Sequence, residues 1–493
     1  MPKIRLAVSL IAASVSMCAL SVSPASAAPR RAAAPVTLQQ TLDQIARRAP
    51  TRSPGVSVAI AELDSGETVY TRNPDQAETI ASVSKMLSSA AAIHFLGPDY
   101  KFKTTFWRRG DVKDGILQGS LLVVGGGDPN ISGRFYDNDS FAVFDRWADG
   151  LKRAGIVRVS GDLILNASAF DRLYRNPEWP PDRDTRWYQA PISALSYNDN
   201  VVIVSVGRGA LPGAPAIVSI DPDTDVVQKV SRARTIGRTG QVRIAVARPG
   251  GSDTVYVDGT LPMRYFRYSV PLAIDDPPKF FGAALKSRLR AAGIELGGGV
   301  VEKDVPPDNS WALIARTESD LMPTMAVSNK HSQSYYAEQI FKTLAYEKSG
   351  RGTWENALAL EKQFLQAIGL DPSRYDMHDG SGLSAFNRTA AADLVRFLRA
   401  MQAQPYGAAW RSTLAVSGES EGSLRGRLLD SLTRGQVEAK TGTLNGVSTL
   451  AGYAKAASGK TYVFAILLNG PGVTDSRAHG YQDRLVRALI QKG

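Results

Sequence analysis

The chain has 493 residues, 43% hydrophobic and 21% charged, with a formal net charge of +11 and one cysteine. That length allows two or three domains, and the proportions are those of an ordinary soluble protein rather than a disordered or polytopic membrane one. The positive charge is scattered, without the basic stripe and interleaved aromatics that nucleic-acid binding needs, and leaves only a weak attraction to an anionic polymer or surface.

At the N-terminus, Lys3 and Arg5 precede an apolar run from Leu6 to Val22 and then Pro24-Ala25-Ser26-Ala27. This pattern predicts a secretory signal over residues 1–27, cleaved after Ala27. The run is short for a membrane span, and Met17 before Cys18 argues against a lipoprotein anchor. The mature chain is therefore expected to be exported to a periplasm or cell wall with no transmembrane anchor and no cysteine. That excludes disulfides, a thiol nucleophile and a thiolate metal site. Loss of Lys3 and Arg5, with no acidic residue, takes the net charge from +11 to +9.

After an Ala/Pro/Arg linker from Ala28 to Pro35, Leu38, Leu42, Ile45 and Ala49 mark an amphipathic helix behind the capping-box spacing Thr37-Leu38-Gln39-Gln40. Val56 to Ile60 and Thr68 to Tyr70 alternate around Asp64-Ser65-Gly66, a hairpin pattern. Next comes Ser82-Val83-Ser84-Lys85 at the head of an alanine-rich helix reaching Leu96. From Tyr100 the texture shifts to short strands (Phe102 to Trp107, Leu117 to Val124), and Gly125-Gly126-Gly127-Asp128-Pro129 reads as a tight turn, lacking phosphate-loop spacing. A helix from Phe141 to Ala154 ends at Gly155. Leu151 to Ile156 resembles Leu289 to Ile294, which reads either as a weak internal repeat or, more simply, as two helices sharing a glycine stop.

Residues 197–262 are strand-rich. Asp221-Pro222-Asp223-Thr224-Asp225 within them lacks the glycine and terminal glutamate of a calcium loop. Beyond residue 310 helices are expected over 321–346, 354–368 and 390–401, then strands over 437–453 and 461–468 and a terminal helix from Tyr481. The order predicts an α/β (α+β) fold in which residues 28–100 and 311–493 form one discontinuous domain, an antiparallel sheet flanked by helices. An α/β insertion (101–196 and 263–310) interrupts it and carries a small β-rich subdomain (197–262).

Three chemistries compete. Metal hydrolysis has no support, because His94, His331, His378 and His479 lie far apart and form no H-x-x-x-H pair. A Ser-His-Asp esterase has one motif: Gly418-Glu419-Ser420-Glu421-Gly422 matches G-x-S-x-G, with Asp475 and His479 following in order. Its preceding strand is meagre, so a plain turn is the simpler reading. Serine–lysine acyl transfer has three ordered motifs. On a helix, Ser82 and Lys85 fall on one face. Taken alone that pair reads as a capping serine with a surface lysine. Ser332-Gln333-Ser334 supplies further hydroxyls on a helical segment. Lys440-Thr441-Gly442 lies on a predicted strand whose edge can pair with a peptide, the ammonium and hydroxyl meeting its carboxylate. A second K-x-G match, Lys348-Ser349-Gly350, is more simply a helix stop.

Together with Asp379-Gly380-Ser381-Gly382-Leu383-Ser384, Leu96-Gly97-Pro98-Asp99-Tyr100, Ala190-Pro191-Ile192-Ser193-Ala194 and Tyr336-Ala337-Glu338, these motifs resemble the class C penicillin-binding proteins, the D-alanyl-D-alanine carboxypeptidase/endopeptidase family. The resemblance covers essentially the whole mature chain and implies a transpeptidase/β-lactamase-like domain acting on peptidoglycan stem peptides, without cofactor or metal. It implies that Ser82 is acylated, Lys85 takes its proton and Ser332 relays a proton to the leaving D-alanine. Lys440, Thr441 and Gly442 would bind the terminal carboxylate, and the backbone N–H groups of Ser82 and Thr443 would form the oxyanion hole. β-Lactams would acylate Ser82 as inhibitors. The family carries asparagine where this chain has Ser334, a shorter side chain with one donor. That departure leaves open a non-catalytic protein that binds wall peptides or β-lactams. Asp182, Asp184 and Tyr188 fall near where the family recognises the stem peptide's side-chain amine.

Overall fold

The strand Thr461–Asn469 is buried from Tyr462 to Leu468, a pattern that requires cover on both faces of a sheet. In the computed structural model, which describes residues 37–51, 55–181 and 185–493, it lies inside a six-stranded antiparallel sheet. The order is Ala415–Val416, Val437–Leu444, Val447–Lys455, Thr461–Asn469, Val56–Glu62, Thr68–Arg72. Successive side chains of a strand point to opposite faces. Phe464, Ile466 and Leu468 accordingly join Leu42, Leu485 and Leu489 from the helices Leu38–Ala46 and Asp475–Lys492. Val463, Ala465 and Leu467 join Leu87, Ile93, Phe364 and Phe397 on the other side. There the helix Ser84–Leu96 is buried at every position from Ser84 to Ile93, so its small and apolar residues run all round rather than along one stripe.

The expected signal (1–27), the linker from Ala28 to Pro35, and Asp182 and Asp184 lie outside the described residues. Three sequence expectations are corrected. Residues 437–453 form two strands, not one, turning at Asn445-Gly446, where Gly446 has φ +72 and Leu444 pairs with Val447. The terminal helix begins at Asp475, because Ala478 packs into the sheet's core and outweighs the cost of Gly480 in its first turns. Ser332 is not helical. It breaks the chain between the helices Leu321–Lys330 and Ser334–Ser349 with φ +59.

The chain leaves the six-stranded sheet through Lys101–Lys113 and returns along Trp311–Asp320, which pairs with it antiparallel. Asp320 stands opposite Lys101 and bridges it at 2.7 Å. A seven-stranded sheet that includes both strands thus extends to Asp320, past the expected boundary at 310. Helices Ala142–Arg153 and Pro277–Ala291 pack on it through Phe144, Trp147, Phe281 and Leu285. Both end at a glycine with positive φ, Gly155 (+72) and Gly293 (+82), and their following strands pair in parallel, Val159 against Leu296. Two helix–strand units therefore lie side by side. In the β-rich part, Val201–Gly207 pairs with Ile217–Asp221 and with Arg267–Ala273, so this part also runs past residue 262. A second sheet joins Gln228–Ser231, Arg234–Ile236, Arg243–Ala247 and Thr254–Pro262.

Candidate active site

Ser82 sits in a 3-10 turn, Ala81–Val83, that runs into the Ser84–Leu96 helix. Ala81 is held at φ +48, a strained conformation for a residue with a Cβ. Four contacts brace the turn. Thr449 Oγ1 donates to Ile80 O (2.9 Å) and Ser84 Oγ to Ala81 O (3.0 Å). Gly382 and Gly442 come so close that a Cβ would lie 1.9 Å from Ala81 O and 2.6 Å from Ile80 O, respectively.

One helical turn on, Lys85 is fully buried. Its Nζ reaches Ser82 Oγ (2.9 Å), Ser334 Oγ (3.2 Å) and the Ser381 carbonyl (2.5 Å). Burial brings its ammonium down to about 8, against the opposing pull of Asp379 and Glu338. Lys85 can therefore lose its proton close to neutral pH.

Opposite, the fully buried Lys440 donates to Ser332 Oγ (2.7 Å) and to the Thr441 carbonyl (2.8 Å). Burial, and then the charge of Lys85, hold it well below the ordinary lysine range. The Ser332-to-Ser334 segment therefore bridges the two amines, each serine turned to a different lysine. Strand Val437–Leu444 meets Ala415–Val416 only at Glu438 and Ala439. From Lys440 to Leu444 its outer edge pairs with no strand among the described residues, and Thr441 is half-buried and Thr443 exposed along it. Such an edge accepts an extended peptide. Beside the site, a cavity of about 670 Å³ is walled by Gln333 and Tyr335 and by Arg134, Trp187, Asp199 and Asp221.

Buried acids beneath Lys85 went unread in the sequence. Asp379 accepts five hydrogen bonds, from the backbone N–H groups of Ser381, Gly382 and Ser384, from Asn387 Nδ2 and from Trp179 Nε1. It shapes the loop whose Ser381 carbonyl holds Lys85. Glu338 accepts from Trp354 Nε1 (2.8 Å) and Gly380 N (3.2 Å). Burial, and then the charge of Asp379, raise it to about 7. Glu361 is raised to about 8 by burial, then by Asp379 and Glu338. The motifs around Glu338 and Asp379 were visible, but nothing in them announces burial.

Ser420 does not join a triad. It is exposed in a turn whose neighbours Glu419 and Glu421 pair with Lys330 and His331, while His479 feels the charges of Arg427, Asp475 and Asp483. Among the described residues no three His, Cys, Asp or Glu side chains cluster as a metal site.

Comparison with known proteins identifies the family. The family model described as D-Ala-D-Ala carboxypeptidase 3 (S13) matches residues 38–492. The chain is 30% identical to a D-alanyl-D-alanine carboxypeptidase of Actinomadura sp. (strain R39), over 88% of this chain and 81% of that one. It is 25% identical to the D-alanyl-D-alanine carboxypeptidase DacB of Haemophilus influenzae, over 80% and 81%. The crystal structure of penicillin binding protein 4 (dacB) from Haemophilus influenzae shares the fold, with a TM-score of 0.78 at 23% identity over 91% of this chain and 98% of that one. The same protein complexed with a β-lactam gives 0.75 at 22% identity, over 91% and 99%. The chain belongs to the D-Ala-D-Ala carboxypeptidase 3 (S13) family.

Proposed function

We propose that this peptidase acts on peptidoglycan stem peptides through an acyl-enzyme on Ser82, releasing the terminal D-alanine, and that it also cleaves D,D cross-links as an endopeptidase. The observation that carries the reading is the 2.9 Å contact between Ser82 Oγ and Lys85 Nζ inside a buried site. Neutral Lys85 takes the hydroxyl proton as Ser82 Oγ attacks the scissile carbonyl carbon. The N–H groups of Ser82 and Thr443 hold the oxyanion. On collapse the C–N bond breaks, and the leaving amine takes, through Ser332, the proton that Lys85 received, while Lys440 keeps Ser332 polarised. Lys440 and Thr441, beside Gly442, receive the terminal carboxylate. Water then cleaves the ester and restores Ser82. β-Lactams enter the same path and stall as acyl-enzymes.

The cavity beside Gln333 is wide enough for the rest of a stem peptide. Export to the periplasm or outer wall follows from the expected signal. The proposed division assigns catalysis to the domain that carries the six-stranded sheet, with the insertion beside it. One observation favours a second reading, a binding protein acylated without turnover: Ser334 in place of asparagine. Labelling with a fluorescent penicillin, paired with D-alanine release from a pentapeptide, separates the readings. Wild type should do both and Ser82→Ala neither. Equal labelling of the two proteins sinks the serine–lysine mechanism, and labelling without D-alanine release selects the binding protein.

A further inference from the structure

The sequence scatters its positive charge, but the fold gathers part of it at one end of the β-rich region. Gly207 pairs with both Ile217 and Arg267, which brings the segments on either side of them together. Arg208 Nη1 donates to Met263 O (2.6 Å), Arg234 Nη1 to Gly213 O (3.1 Å) and Arg264 Nη1 to Arg238 O (3.0 Å). Arg208, Arg234, Arg238, Arg264 and Arg267 therefore share this end, and all five are exposed. Arg208, Arg234 and Arg264 meet carbonyl oxygens, the Tyr265 hydroxyl and rings: Arg208 lies over Phe266 at 5.9 Å and Arg264 over Tyr265 at 4.8 Å. Among the described residues none of the five forms an ion pair.

The same end carries the three most exposed large apolar side chains among the described residues, Phe266 (73%), Leu211 (69%) and Ile217 (67%). Single exposed apolar residues need no explanation, whereas a group of them on loop tips marks an interaction surface. Tyr265 and Tyr268 flank them, both about two-fifths exposed.

We propose that this end is a peripheral docking surface for an anionic phospholipid bilayer. The arginines contact the phosphates, and Phe266, Leu211 and Ile217 enter the interfacial layer. Guanidinium groups without carboxylate partners match a phosphate plane, each contributing about fivefold in binding. Aromatic and aliphatic tips with amphipathic tyrosines beside them match the zone between headgroup and acyl chain. A soluble polyanion would satisfy the arginines but gives the protruding Phe266 and Leu211 nothing to enter. The surface is separate from the residues around Ser82 and does not depend on the catalytic reading.

The test is sedimentation of the mature chain, from Ala28, with phosphatidylcholine vesicles, with and without phosphatidylglycerol. Binding is expected only with phosphatidylglycerol and should weaken with salt. The variant Arg208→Glu/Arg264→Glu/Arg267→Glu should lose binding, and Phe266→Ser/Leu211→Ser should bind at least tenfold more weakly. In Phe266→Trp, the new indole emission should shift to the blue on anionic vesicles. Unchanged thermal unfolding certifies each fold whether or not the protein is an enzyme. No sedimentation of the wild type overturns the proposal. So does full binding by Phe266→Ser/Leu211→Ser with no blue shift in Phe266→Trp, which would identify a surface for anionic polymers instead.

Discussion

Ser334 Oγ lies 3.2 Å from Lys85 Nζ, whereas Ser332 Oγ, two residues earlier, lies 2.7 Å from Lys440 Nζ. The short Ser334 side chain is thus occupied by Lys85, the base of the proposed mechanism. Removing it in Ser334→Ala deletes one hydrogen bond to a group that must change charge, worth about 1 kcal/mol. Penicillin acylation should slow by roughly fivefold. Ser334→Asn keeps an acceptor for Lys85 and adds amide donors towards substrate, so D-alanine release should rise by up to roughly tenfold. A fall in kcat/KM for Ser334→Asn would show that the buried position has no room for the longer side chain.

Acylation requires neutral Lys85, whose ammonium titrates at about 8. The second-order rate of penicillin acylation should climb tenfold per pH unit below that value and level off above it. Glu338 opposes the loss of this proton. Glu338→Gln keeps an oxygen for Trp354 and Gly380 but removes the charge, so the rising limb should move to lower pH. Stopped-flow acylation across pH 6–9 reads it, and an unmoved limb would deny Glu338 any electrostatic role.

Glu361 is raised by burial from 4.5 to about 8. A group whose folded value exceeds its unfolded one binds more protons when folded. Its stabilising contribution is present below 4.5 and is lost as pH rises through about 8. Glu361→Gln removes that loss, so its melting temperature should exceed the wild type's above pH 8, with the gap narrowing towards pH 5. Scanning calorimetry at the two pH values tests this, and a pH-independent gap would contradict it.

Gly382 combines φ +78 with a Cβ position 1.9 Å from Ala81 O. Gly382→Ala must push the turn before Ser82 away, at a cost of roughly 1–3 kcal/mol or more. It should abolish labelling by penicillin while leaving the insertion folded. Normal labelling would mean the turn tolerates displacement.

The contact between Ser82 and Lys85 was legible because spacing alone sets it: three residues along a helical turn bring the two side chains together, and a strand carries Lys440 to a sheet edge. The Asn445-Gly446 turn had a signal, a dipeptide that favours two-residue hairpins, but the strand-forming residues on either side masked it. The roles of Asp379, Glu338 and Glu361 were not legible. A carboxylate reads the same in a sequence whether it faces solvent or lies under a lysine, and burial depends on segments far away. The basic end at Arg208 and Arg264 escaped for the same reason, since its arginines come from separate loops.

The central sheet joins the two ends of the chain, with Ala59 opposite Ala465. A polymer made from its N-terminus must therefore keep the strand Val56–Glu62 without this partner until Thr461–Asn469 has been made. Closing so long a loop is slow and leaves an apolar edge waiting. Ser82 is among the early residues to emerge, yet its surroundings are completed by the last strands to form. The site should be inert until the strand Thr461–Asn469 has been made, so a copy that stops before it would have no working Ser82.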